Sequence, residues 1–228
     1  APVPGAHHAF RAAVTSLCVS ALIETQAEDK RKDVKASLER AEAWILANLG
    51  SLRRATGDAI YNVWAHAFGI QALVRMQDRA AKHPDANATS RLARINELIR
   101  HQTGMLQRYE SVDGGWGYYD FNAHTKQPSG SSISFVNATG LVALHEAKER
   151  GIEPPEKLVR RAYDATQRQR LPDHSYLYGE YLKWKPRRGI NRPGGSLGRS
   201  HACNLALQLH VGPPMNVQFK NIRVKHLK

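Results

Sequence analysis

A short phrase recurs four times along this chain, and that recurrence constrains the fold more than any single motif does. At Arg11-Ala12, His66-Ala67, Asn137-Ala138 and His201-Ala202 a polar residue is followed by Ala, then by an apolar run of helical character that ends near Leu. The polar positions are separated by about 55, 71 and 64 residues. Self-similarity at this spacing marks an array of supersecondary units, each burying its apolar face on its neighbours. The phrase speaks to shape before it speaks to activity.

Around each copy the apolar residues recur at helical spacing. From His8 to Gln26, residues Phe10, Val14, Leu17, Cys18, Ala21 and Leu22 share one side of a predicted helix. A second is expected over 33–49, where Val34, Leu38, Ala41, Ile45 and Leu49 fall at three-and-four spacing and Gly50 supplies a stop. A second hairpin pairs 62–79 with 89–109 across Pro84, Asp85 and Asn87. A third pairs 132–150 with 156–170 across Gly151 to Pro155. A fourth first-type helix, near 198–210, has no partner before Gly212-Pro213-Pro214.

The first helix of each pair is rich in small residues and poor in charge over its central run. The second is more charged and more plainly amphipathic. An inner layer packed on both sides and an outer layer facing water follow from that asymmetry. The expected fold class is all-α, a curved stack of about three and a half helical hairpins over 1–211. Residues 212–228 differ: Val217, Phe219, Ile222, Val224 and Leu227 alternate with polar residues, with a one-residue slip near Asn221. That pattern predicts a strand-like tail.

Long connections carry the aromatic residues. One holds Gly114-Gly115-Trp116-Gly117-Tyr118-Tyr119-Asp120, another Asp173-His174-Ser175-Tyr176-Leu177-Tyr178. Connections of this length are either functional or disordered, and aromatic-glycine composition favours order. The candidate ligand-binding residues are therefore the repeated polar positions Arg11, His66, Asn137 and His201, with Trp64, Trp116, Tyr118, Tyr119, Asp120, Tyr176 and Tyr178 as walls. Aromatic walls with a few polar groups suit an apolar or sugar-like ligand. The bland alternative is that these rings pack loops onto helices.

The formal charge of +13 favours acidic partners. Its densest group, Lys183, Lys185, Arg187, Arg188, Arg192 and Arg199, is interleaved with Tyr181, Trp184, Pro186 and glycines and reads as a basic loop. An acidic polymer is one partner it would take, and steep weakening with salt is the expected signature. Elsewhere Lys and Arg are dispersed, as on a solvated surface. Cys18 and Cys203 each lie among small apolar residues and read as buried free thiols, with no zinc-finger spacing. They would meet only if the first and last helices were neighbours. No metal site or cofactor is expected, and no apolar stretch is long enough for a membrane span. The opening Ala-Pro-Val-Pro-Gly suggests a processed or excised product.

Paired helices joined by aromatic-glycine loops resemble the α/α toroid of terpenoid cyclases and protein prenyltransferases, over about residues 6–211. The most specific element is Gln107 followed by Gly114-Gly115-Trp116-Gly117-Tyr118. It is similar to the glutamine-tryptophan repeat of squalene–hopene cyclases, in which a Gln at a helix end bonds near a Trp that stacks on the next helix. Gln167 or Gln169 with Tyr176 and Tyr178 makes a degenerate second copy. The chemistry of these families is not matched. No DxDD acid motif occurs, and Asp113, Asp120 and Asp173 stand alone. His201 and Cys203 sit two apart on a predicted helix and project about 200° apart, which does not suit one zinc ion. The tail resembles the closing strand of the 3-keto-disaccharide hydrolase domain over about 20 residues, which implies an exported bacterial setting.

Three functions follow as expectations. The first is a toroid-type binding or scaffold protein with an aromatic-lined concave face. The second is an enzyme, either a divergent cyclase or prenyltransferase-like one or an exported carbohydrate-active one. Its general base would come from His7, His8, His66, His124, His174 or His201. The third is a binder of acidic polymer. A stack that stops in mid-hairpin also leaves an apolar flank, to be covered by self-association or by further chain.

Overall fold

The structure is a computed structural model, and it describes residues 4–29, 31–52, 62–118, 127–172 and 176–181. Six α-helices occur among them: α1 (Pro4–Glu24), α2 (Lys32–Asn48), α3 (Asn62–Lys82), α4 (Ala88–Arg108), α5 (Ser134–Glu149) and α6 (Glu156–Arg168). Short 3-10 turns at Ala27–Asp29 and Leu49–Ser51 follow α1 and α2. No strand is found among the described residues, apart from one isolated antiparallel bridge between Arg170 and Tyr176. This part of the chain is all-α. The fourth first-type helix expected near 198–210, the basic loop and the tail 212–228 lie outside the described residues.

Packing follows composition. The odd-numbered helices lie side by side, α1 on α3 and α3 on α5, and each even-numbered helix packs on its own odd partner. The odd helices bury small residues that let backbones approach: Ala9, Ala12 and Ala13 in α1, Ala65, Ala67 and Ala72 in α3, Ala143 and Ala147 in α5. Gly69 of α3 makes room for the Leu49–Ser51 turn in the same way, since a Cβ there would sit 2.9 Å from a Leu49 methyl. The even helices bury one stripe each, such as Ile95, Leu98, Ile99 and Leu106 of α4. Leu158, Ala162 and Ala165 do this for α6, at the spacing of one helical face.

Helix ends differ from expectation in places. The first helix begins at Pro4 rather than His8, with Pro in its first turn, where the missing N–H costs nothing. At the end of α2 the chain tightens into the 3-10 turn instead of stopping in a left-handed Gly50. Cys18 is exposed on α1 rather than buried, on a flank that also shows Val14 and Leu17 to solvent.

Candidate functional site

The N-terminal ends of α3 and α5 carry a continuous cluster of rings. Trp64 and Phe68 stand one turn apart on α3 and stack at 5.3 Å between centroids. Trp64 also stacks on Phe135, the second residue of α5, at 6.0 Å. Two loop tyrosines close the cluster edge-on: Tyr118 at 6.2 Å from Phe135, and Tyr178 at 5.7 Å from Phe135 and 6.1 Å from Tyr118. Phe135 is buried, whereas Trp64, Phe68, Tyr118 and Tyr178 are half-buried and form a rim.

The rim is held by the unpaired amides that every helix N-terminus offers. The Ile133 N–H donates to the Trp116 carbonyl at 2.8 Å, and the Ser134 N–H donates to the Tyr178 carbonyl at 3.2 Å. Next to them, the Ser132 N–H donates to Asp113 Oδ2 at 2.9 Å. Two loops are thereby drawn onto the start of α5. A carboxylate is well placed there by the helix dipole, although burial raises the Asp113 pKa above the usual value.

Behind the rim lies a neutral polar bracket. Asn137 is fully buried; its Oδ1 accepts the Trp116 backbone N–H at 2.6 Å and its Nδ2 donates to Ser132 Oγ at 3.2 Å. Gln169 Nε2 donates to the Ser132 carbonyl at 3.1 Å and to its hydroxyl at 3.2 Å. Trp116 is fully buried, and its indole N–H donates to the Leu106 carbonyl at 2.8 Å. Its ring lies on α5 at Gly140, where a Cβ would come within 2.4 Å of it. Gly114 and Gly115 have φ of +90° and +73°, and a Cβ on Gly115 would meet Asn137 Oδ1 at 2.2 Å. Trp116 does lie against the next helix. Gln107, however, is exposed, and the carbonyl that receives the indole N–H is that of Leu106.

His66 is fully buried on α3. Its Nδ1 is 2.6 Å from Gln102 Oε1, and Gln102 Nε2 donates to the Leu49 carbonyl at 3.1 Å. That second bond fixes the amide orientation, so His66 Nδ1 carries the proton and Nε2 is a bare acceptor. Nε2 has no hydrogen-bond partner among the described residues. The ring stacks on Tyr109 at 5.8 Å. Burial pushes the His66 pKa down to about 4, so it is neutral at physiological pH.

The repeated polar positions thus do different things. Asn137 ties a loop to a helix, His66 joins α3 to α4, and Arg11 is exposed with its guanidinium 4.7 Å from the Trp44 ring centroid. Tyr176 lies in the bridge to Arg170. Tyr119, Asp120 and His201 lie outside the described residues. Phe68, Phe135, Gln102 and Ser132 belong to the site but carry no motif; the four-residue spacing from Trp64 was an available signal for Phe68, and Phe135 had none. Among the described residues no group of three His, Cys, Asp or Glu side chains could hold a metal ion, and no helix is long and apolar enough to cross a membrane. Compared with protein-family models, curated proteins and solved structures, the chain matches none.

Proposed function

We propose that this chain is a toroid-type binding or scaffold protein whose aromatic rim takes an apolar or sugar-like ligand. The observation that carries this reading is the contiguous five-ring cluster of Trp64, Phe68, Tyr118, Phe135 and Tyr178, four members of which remain half-exposed at one end of the helical layers. Half-exposed rings offer flat apolar area at low entropic cost, and tyrosine adds a polar edge. The helix arrangement supports the toroid reading, because odd helices pack in series and even helices cover them. Extra chain, or a second copy, would cover the flank of α1 that shows Val14 and Leu17.

Catalysis is less well supported. His66 is neutral, buried and engaged with Gln102, and Asn137 is spent on the Trp116 backbone. The test is isothermal titration of the full chain with farnesol, as an isoprenoid probe, and with cellobiose, as a sugar probe. Trp64→Ala is expected to weaken whichever probe binds by about tenfold or more. Binding of neither probe, or binding indifferent to Trp64→Ala, contradicts the reading.

A further inference from the structure

At the opposite end of α3 from the aromatic rim, α2, α3, α4 and the Ala27–Asp29 turn enclose a cleft of about 530 Å³. Leu46, Met76 and Ile95 supply apolar walls, and the rest of the lining is mostly charged. Arg79 organises it. Its Nε and Nη2 donate to the two oxygens of Glu28 at 2.7 and 2.6 Å, and its Nη1 donates to Glu42 Oε2 at 2.7 Å. One guanidinium therefore serves two carboxylates. Glu42 is only 8% exposed and lines the cleft; its Oε2 takes the Arg79 bond, while its Oε1 has no hydrogen-bond partner among the described residues and is not sealed from solvent.

The surrounding charges do not make up the deficit. Asp29 and Glu39 add carboxylates and Lys35 adds a cation; Arg91 is taken by Asp85 at 2.8 Å, and His83 stands at the rim. Among the described residues of the lining, five carboxylates thus face three Lys and Arg side chains, in a chain whose formal charge is +13. A mostly buried carboxylate with one oxygen left to the cleft is a ready partner for a cation small enough to reach it. A cleft of this size is in the range that holds a small molecule.

We propose that this cleft binds a small organic cation, an alkylammonium whose charged head pairs with Glu42 Oε1 and whose carbon chain lies on Leu46, Met76 and Ile95. The aromatic rim plays no part in it. Burial pushes the Glu42 pKa up to about 6, with the neighbouring Glu28 and Glu39 charges adding to the rise and Arg79 and Arg91 opposing it. An ammonium selects the ionised form, so binding strengthens as pH rises through 6 and the residual proton is released.

The test is isothermal titration of the full chain with n-pentylamine, using 1-pentanol as the uncharged counterpart. At pH 7.5 the amine is expected to bind and the alcohol to bind at least tenfold more weakly. Lowering the pH to 5 protonates most of Glu42 and is expected to weaken the amine about tenfold. Glu42→Gln is expected to reproduce that loss at pH 7.5, while Glu149→Gln, exposed on α5 and outside the cleft, changes affinity less than about threefold. Circular dichroism checks that each variant is folded, and the pH comparison needs no substitution at all. Equal binding of amine and alcohol, unchanged binding at pH 5, or no saturation at millimolar amine overturns the proposal.

Discussion

Near its N-terminus α3 carries Trp64 and His66 among rings and neutral amides; about 22 Å further along, the same helix carries Arg79 among carboxylates. The first region buries its polar groups in directional neutral bonds, His66 to Gln102 and Asn137 to the Trp116 backbone. Neutral groups lose little on desolvation once bonded, so this end can specify position tightly. The second region buries charge with one cation shared between Glu28 and Glu42: Arg79 holds the Glu28 pKa down, while burial raises that of Glu42. One end of the helix is a fastening, and the other is an unbalanced electrostatic site.

The largest test of that contrast removes the fastening. Trp116→Ala empties a fully buried site and frees the Leu106 carbonyl, and is expected to cost about 3–5 kcal/mol in urea unfolding. A loss under about 1 kcal/mol would show that the loop is not anchored by the ring.

The two ends also titrate in opposite senses. His66 has a folded pKa near 4, below its usual 6.5, so its contribution is complete above pH 6.5 and is lost as pH falls towards 4, by about 3 kcal/mol. His66→Leu is expected to remove that acid-side loss from the stability profile, whatever it does to stability at neutral pH. Glu42 has a folded pKa near 6, above its usual 4.5, so the stabilisation by the protonated form is lost as pH rises from 4.5 through 6, by about 2 kcal/mol. In Glu42→Gln the His66 effect acts unopposed, and stability is expected to rise more steeply between pH 4.5 and 6. Parallel profiles for the two variants would erase the comparison. The smallest effect belongs to neither end. Arg150 and Asp78 form a largely exposed pair at 2.8 Å, and Asp78→Asn is expected to change stability by no more than about 0.5 kcal/mol.

Much of the helical character was legible because periodicity is a local signal. Leu38 and Ile45 of α2, and Leu92, Ile95, Leu98 and Ile99 of α4, repeat at the helical period. The Trp116 segment was legible as an ordered connection from its aromatic and glycine-rich setting. Which residues complete it was not, because Leu106 acts through its carbonyl, which every residue type carries. Gln102 was invisible for a related reason: its role depends on His66 and Leu49, respectively 36 and 53 positions away. The charged cleft escaped notice because Glu28, Glu42 and Arg79 come from three separate elements and read singly as surface charges. Cys18 misled because small apolar neighbours suggested burial, whereas it lies on the flank of α1 that faces no other described helix.

On the proposed reading the half-exposed rings, and not the buried Trp116, meet a ligand. Indole N–H resonances report on this directly, since Trp64 stands in the rim while the Trp116 indole is sealed and bonded to Leu106. Titrating the full chain with the probe that binds, farnesol or cellobiose, is expected to shift the Trp64 indole signal progressively and leave that of Trp116 in place. A Trp64 signal that stays fixed while ligand saturates the protein, or a shift confined to Trp116, would contradict the account.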